Sequence, residues 1–354
     1  SMSTVTRMLR KTRAQGESLV SKIGRPNRAR IPFALTKRRE PVETVEDAQV
    51  DEVYRALRHT PFPYPEPCSP ELLAREKQSL HTVESTVVDS VIRPWSLAGI
   101  RLCNAFFPNR FIANRRNTMS ALEAWRDEKI LRRAIKFQLQ HGDPVTPRRV
   151  LRAVTLLCRT PTIFRPAIAK CIYQRYAHPG AVVWDPCSGY GGRLLGAFAA
   201  GVHYIGTDVE PETIEGNRRL AKVLGASHEL FVTPAESFDP PPVDLVFTSP
   251  PYFDRERYST NKNQSWQKYS NLEEWTVGFL RPIAEAARRA LHPTRFLVLN
   301  VANFRNRNET IPIVDRTLAT VLESGFVHVE TLLMPLAAIN RRAPTEPILV
   351  FQTR

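Results

Sequence analysis

The chain has 354 residues, 42% of them hydrophobic and 24% charged, enough for one large or two ordinary domains with a proper core. The net charge is +15; residues 1–39 hold eleven Lys/Arg against one Glu, so this stretch carries +10 and the rest +5, which reads as an arm for a polyanion or as a solvated tail. Five scattered cysteines (Cys68, Cys103, Cys158, Cys171, Cys187) with no C-x-x-C pair argue against a disulfide framework or a zinc site, and no apolar run suits a membrane span or signal peptide, which points to the cytoplasm.

Residues 1–60 turn from basic to acidic with little apolar periodicity and are expected to form a flexible tail. Within it Gly24-Arg25-Pro26, flanked by Lys22, Arg28 and Arg30, is either a hook for a narrow minor groove or more of the same tail. Residues 61–159 predict an N-terminal helical region that opens on a proline-rich linker, Pro61 to Pro70. Helices are expected over 70–80, 83–92 and 120–140. The last carries Leu122, Trp125, Ile130, Leu131, Ile135 and Leu139 at helical spacing and ends at Gly142. Thr146 and Pro147 start another helix through Cys158. These two helices read as a helix-turn-helix DNA reader or as an αα-hairpin packed on the main domain. Asn109-Arg110-Phe111 and Arg115-Arg116-Asn117 form a candidate nucleic-acid surface.

Residues 160–354 alternate strands with helices. Strands are expected at 181–184, 203–207, 230–232, 243–248, 296–300, 326–333 and 347–352, and helices at 193–200, 211–223, 273–291 and 312–323. This predicts an α/β domain, a seven-stranded, mostly parallel sheet with helices on both faces and an antiparallel last strand.

The glycine turn Asp185-Pro186-Cys187-Ser188-Gly189-Tyr190-Gly191-Gly192 follows the first of these strands. It permits close backbone approach at a helix N-terminus, but its spacing is not that of a dinucleotide fingerprint. A carboxylate at the strand end suits a cationic ligand with an amine and a sulfonium better than a pyrophosphate. Cys187 reads as a packing residue. Asp208 ends the second strand and suits a ribose diol, and Glu236 lies where that ligand's base edge would come; either acid is otherwise a surface helix cap. Thr248-Ser249-Pro250-Pro251-Tyr252-Phe253 stops the fourth strand, because two prolines cannot continue a ladder. The result is a rigid elbow. Ser249 Oγ and the Pro250 carbonyl can accept from an amino group while Tyr252, with Phe253, stacks on the ring that bears it.

Taken together these residues resemble the class I S-adenosylmethionine-dependent amino-methyltransferases that modify exocyclic nitrogens of DNA bases. Asp185 to Gly192 resembles their glycine motif, and Ser249-Pro250-Pro251-Tyr252 matches their [DNS]-P-P-[YFW] motif. Residues 248–259 are similar to phage and prophage enzymes of the group, as are Asn303 and the run Glu346 to Phe351. Phe164-Arg165-Pro166 resembles the motif that closes over the methionine moiety. The resemblance covers residues 100–354 and implies a Rossmann-like class I methyltransferase domain with S-adenosylmethionine as cofactor. It assigns Ser249, Pro250, Pro251 and Tyr252 to catalysis. It assigns Phe164, Arg165, Pro166, Asp185, Pro186, Gly189, Gly191, Gly192, Asp208 and Glu236 to the cofactor. A serine at the head of the motif resembles the cytosine-N4 subset; Asp or Asn is commoner for adenine-N6.

The basic loop after the elbow is expected to contact DNA through Phe253, Arg255, Arg257, Tyr258, Lys262 and Gln264, joined by Arg115 and Arg116, or else is a solvated insertion. In a duplex the target base has to leave the stack. The expected partner is therefore DNA and the expected product N4-methylcytosine. The other readings are adenine-N6 methylation, an RNA base methyltransferase, and a non-catalytic nucleic-acid-binding protein that keeps the fold.

Overall fold

The computed structural model describes residues 45–353 apart from 94–95, 142–143, 307–308 and 337–343; the expected Gly-Arg-Pro hook and Gly142 lie outside the described residues. Helix α1 (Asp47–Leu57) falls in the stretch expected to be a flexible tail, and it buries Val50 and Leu57. Helix α2 (Pro70–Thr82) starts at Ser69, whose hydroxyl accepts from the Leu72 amide. The expected helix at 83–92 is instead a hairpin, β1 (Thr86–Val88) and β2 (Val91–Arg93). Its β-branched residues disfavour a helix, and Asp89 and Ser90 take φ of 50° and 63°, the two left-handed positions of a tight hairpin loop.

Helix α3 (Ile100–Phe106) and strand β3 (Asn114–Arg115) follow. The helix predicted over 120–140 breaks in two, α4 (Ala121–Arg126) and α5 (Glu128–Gln140). Asp127 accounts for the break: its side chain accepts from the Ile130 amide at 2.9 Å and caps a new helix start. Helix α6 (Pro147–Leu157) is capped by Thr146. Helices α5 and α6 pack as an αα-hairpin and, with α1 and α4, bury Trp125, Leu131, Ile135, Val150 and Val154 in a core of their own.

The main domain runs α7 (Pro166–Tyr176), β4 (Val182–Asp185), α8 (Gly192–Ala200), β5 (His203–Asp208), α9 (Pro211–Leu224), β6 (His228–Val232) and β7 (Val243–Thr248). Next come β8 (Glu256–Arg257), α10 (Ser265–Lys268) and α11 (Leu272–Trp275), which continues through a π-helical turn over Thr276–Leu280 into α12 (Arg281–Ala290), so the helix predicted over 273–291 is present with a π-turn inside it. The chain closes with β9 (Leu291–Asn300), β10 (Phe304–Asn306), β11 (Glu309–Ile311), α13 (Ile313–Glu323), β12 (Phe326–Pro335) and β13 (Thr345–Thr353).

The strand order is β1-β2-β12-β13-β9-β7-β4-β5-β6. Strands β9, β7, β4, β5 and β6 are parallel, and β13 inserts antiparallel between β9 and β12. The seven-stranded sheet is therefore present as expected. It is widened to nine by the unforeseen hairpin, whose Val91 sits opposite Leu333.

Alternation explains the layers. Val183, Leu245, Phe247 and Val298 face α7, α8 and α9, while Trp184, Val246, Leu297 and Leu299 face α12 and α13. The carboxyl ends of β4, β5, β7 and β9 thus open on one edge, where open α/β sheets form their clefts. Among the described residues no helix is long and apolar enough to cross a membrane.

One buried cation ties the N-terminal region to this sheet. Lys170 of α7 donates to the carbonyls of Leu80 (3.0 Å), His81 (3.1 Å) and Val83 (3.0 Å), at the carboxyl end of α2. A cation there meets the helix dipole and caps carbonyls that have no partner in the helix. Lys170→Met is expected to destabilise the fold by about 2 kcal/mol, seen as a drop of several degrees in the thermal midpoint.

Candidate active site

The elbow forms at the end of β7. Thr248 turns its hydroxyl inward to Asp185 Oδ1 at 2.7 Å, and Ser249 is the first residue to face the cleft. Ser249 Oγ donates to Asn300 Oδ1 at 3.2 Å, and Tyr252 OH donates to the same oxygen at 3.4 Å. Asn300 ends β9, and its Nδ2 donates to the Pro347 carbonyl at 3.1 Å, which fixes which end of the amide faces Ser249. With its hydrogen placed on Asn300, Ser249 Oγ keeps acceptor lone pairs, beside the Tyr252 hydroxyl that it also contacts. Among the described residues the Pro250 carbonyl accepts no hydrogen bond.

The turn closes by Phe253 N donating to the Pro251 carbonyl at 2.9 Å, with Phe253 at φ 58°. A bulky residue in the left-handed region is costly and persists only where its surroundings impose it. Arg255 lies 5.3 Å over the Tyr252 ring, so a ligand ring entering the cleft meets the other face. Glu256 accepts from the Tyr252 amide at 3.3 Å, and burial raises its pKa.

The glycine turn is built differently from expectation. Asp185 is fully buried and sealed beneath it. Its oxygens accept from Arg193 Nε (2.7 Å), Tyr204 OH (2.6 Å), Thr248 Oγ1 (2.7 Å) and Cys187 N (3.2 Å), so it faces a structural network rather than the cleft. The glycines also divide. Gly189 has φ 56°, and a Cβ there would meet the Cys187 carbonyl and the Arg193 guanidinium only at ordinary contact distance, 3.8 and 3.9 Å. A Cβ on Gly191 would meet the Phe107 ring at 2.6 Å, and one on Gly192 would meet the Phe164 carbonyl at 1.8 Å. Gly189 alone of the three would take a Cβ without a clash, while Gly191 and Gly192 let α8 pack against its neighbours. Burial holds the Cys187 thiol well above its usual range, although the side chain lines the cavity.

Asp208 does face the cleft. The amides of Gly189 and Glu210 donate to its two oxygens at 3.0 Å each, and burial pushes its pKa up to about 6. The cavity between Asp208 and the elbow encloses about 520 Å³, within the roughly 300–1,000 Å³ of small-molecule sites. Phe164, Arg165, Pro186, Gly189 and Gly192 line it, as do Ser249, Pro250, Pro251 and Tyr252; Pro166, Gly191, Asp185 and Glu236 do not. Glu236 instead bonds Lys268 Nζ (2.6 Å) and Tyr269 OH (3.0 Å), anchoring α10. Asn300 and Glu256, which the sequence did not single out for the site, line the cavity too, as do Glu346 from the run that carries the resemblance and Arg110, expected on the nucleic-acid surface. The resemblance singled out Asn303, whose Oδ1 accepts from Val314 N at the start of α13; it is Asn300, at the end of β9, that bonds the elbow through Ser249.

The loop after the elbow and the 109–117 segment meet. Strands β3 and β8 pair, with Arg115 opposite Glu256, and Arg116 N donates to the Arg255 carbonyl at 2.9 Å. Arg115, Arg255, Tyr258 and Gln264 line the cavity, and Lys262 is exposed. Arg116 pairs with Asp254, and Arg257 stacks 4.6 Å over Trp266. Phe253, by contrast, is buried in the core and does not line the cavity. The loop's far end covers the second strand end: Ser259 donates to Glu210, and Asn261 Nδ2 to the Val209 carbonyl at 2.8 Å.

Compared with known protein families the chain matches none, and no curated protein matches it either. Solved structures do align with it. A methyltransferase from Pyrococcus furiosus is 14% identical over 53% of this chain and 82% of its own, with a TM-score of 0.36. The magnesium protoporphyrin IX methyltransferase of Synechocystis with bound SAH is 13% identical over 50% and 75%, TM-score 0.36. The [4+2]-cyclase SpnF is 12% identical over 53% and 80%, TM-score 0.39. Likeness this distant carries no weight for the chemistry. The strand order itself, with β13 antiparallel between β9 and β12, is that of the Rossmann-like methyltransferase fold.

Proposed function

We propose that this protein is an S-adenosylmethionine-dependent methyltransferase acting on the exocyclic amino group of a base in DNA, cytosine N4 ahead of adenine N6. The observation that carries this reading is the pair of free acceptors, Ser249 Oγ and the Pro250 carbonyl, at one end of a cavity whose other end is Asp208. The residues present fit the donor. Asp208 can accept from a ribose diol, Gly189 leaves space for close approach, and Ser188 Oγ is buried at the cavity wall without a partner. Phe164 and Arg165 line the side where the resemblance expects the methionine moiety.

S-adenosylmethionine, when bound, supplies an electrophilic methyl group on a sulfonium. The elbow does the rest. An amine conjugated to a ring is a poor nucleophile; accepting its two N–H bonds at Ser249 Oγ and the Pro250 carbonyl draws its lone pair out of conjugation and aims it across the cleft. Direct displacement then needs no covalent enzyme intermediate, and the proton leaves afterwards. The open face of Tyr252 receives the ring, worth about 1–3 kcal/mol per stacked base, against a few kcal/mol to unstack it from a duplex. Arg115, Arg116, Arg255 and Arg257, gathered by the β3–β8 pairing, support a nucleic-acid substrate.

Calorimetric titration with S-adenosylhomocysteine tests the donor half, and its pH dependence tests Asp208. The carboxylate is the better acceptor and prevails above its pKa of about 6. Affinity is therefore expected to hold at pH 7–8 and to fall about tenfold by pH 5. Asp208→Asn should bind more weakly and with a flat profile; a wild-type profile flat over this range would remove Asp208 from the donor site.

A further inference from the structure

Arg110 lies in the helical turn Pro108–Phe111 and lines the cavity. Its guanidinium donates to two neutral acceptors, the Pro161 carbonyl at 3.1 Å and Asn104 Oδ1 at 2.9 Å, and stands 4.6 Å over the Phe111 ring. Two of its five N–H groups are thus used, and Nε is buried without a partner. The ionisable groups that act on it are Tyr190 and Cys103, and burial keeps both neutral by raising their pKa values. Burial lowers the pKa of Arg110 itself to about 10, so it remains a cation at neutral pH. An enclosed cation without a counter-charge is unfavourable, and a planar fork is suited to a carboxylate.

Location decides which anion. Arg110 bridges two segments that pack on the glycine turn. One begins at Pro161 and runs to Phe164, whose carbonyl lies against Gly192; the other holds Asn104 in α3, followed by Phe107, whose ring lies 5.9 Å from that of Tyr190 in the turn. A phosphate backbone would instead meet the β3–β8 edge, where the Arg116 side chain is 36% exposed. We infer that Arg110 is the residue that binds the carboxylate of the donor's amino-acid moiety. The inference rests on the donor reading above and moves Arg110 out of the nucleic-acid surface.

The test compares two ligands by calorimetry: S-adenosylhomocysteine, which carries the carboxylate, and 5′-methylthioadenosine, which lacks the whole amino-acid part. Arg110→Met should weaken S-adenosylhomocysteine by about 10- to 100-fold and leave 5′-methylthioadenosine within about twofold. Arg110→Lys, which keeps a cation, should weaken S-adenosylhomocysteine less. Equal weakening of both ligands in both variants would show a structural role and overturn the assignment. So would unchanged binding of both, or a loss of duplex affinity with S-adenosylhomocysteine unaffected. A wild-type protein that binds neither ligand would remove the donor reading itself, whereas the variant results bear on Arg110 alone.

Discussion

Ser249→Ala is expected to slow methyl transfer by about 10²–10³-fold, the usual effect of losing one preorganised hydrogen-bonding group at a reacting centre, with donor affinity unchanged. The loss should appear in kcat rather than KM, because the acceptor matters most as the amine's lone pair is aimed. Asn300→Leu should reproduce most of this loss. It removes the oxygen that takes the Ser249 hydrogen, so the hydroxyl turns to donate into the cleft, where an amine offers N–H. The two changes act on one hydrogen bond, so the double variant should be no slower than Ser249→Ala alone. Additive losses would mean that Asn300 acts elsewhere, for instance through Tyr252.

The second large effect is expected beneath the glycine turn. Arg193 and Asp185 form a buried ion pair at 2.7 Å, with side-chain exposures of 5% and 1%, and Arg193 also holds the Cys187 carbonyl. Removing one partner of such a pair leaves an uncompensated buried charge, at about 3–5 kcal/mol. Arg193→Met and Asp185→Asn should each lower the unfolding midpoint sharply. Donor affinity should fall in step, because the turn loses its support. Were Asp185 a direct ligand of the donor, Asp185→Asn would cut affinity at near wild-type stability. Chemical denaturation and calorimetry on one preparation separate these outcomes.

What the sequence showed was what is local. Val243 to Phe247 announces a strand, two prolines end it, and Ser249 and Tyr252 follow by position alone; Asp208 closes the second strand in the same way. What it concealed depends on partners far along the chain. Asn300 becomes legible only when β9 lies beside β7 and brings it against Ser249. Arg115 and Glu256 meet only through β3–β8. Asp185 looked like a ligand because a carboxylate at a strand end has the same sequence whether it faces the cleft or is sealed by Tyr204 and Arg193. The segment 83–92, expected as a helix, is a hairpin because Val87, Val88, Val91 and Ile92 are β-branched and Asp89-Ser90 supplies the turn.

The central claim is that the elbow presents acceptors to an amino group of a base. Duplex DNA incubated with the protein and methyl-labelled S-adenosylmethionine, digested to nucleosides and separated by mass spectrometry, tests it most directly. Label is expected in N4-methylcytosine and is lost in Ser249→Ala. Label confined to N6-methyladenine would contradict the choice of base, and no labelled nucleoside from DNA would contradict the function.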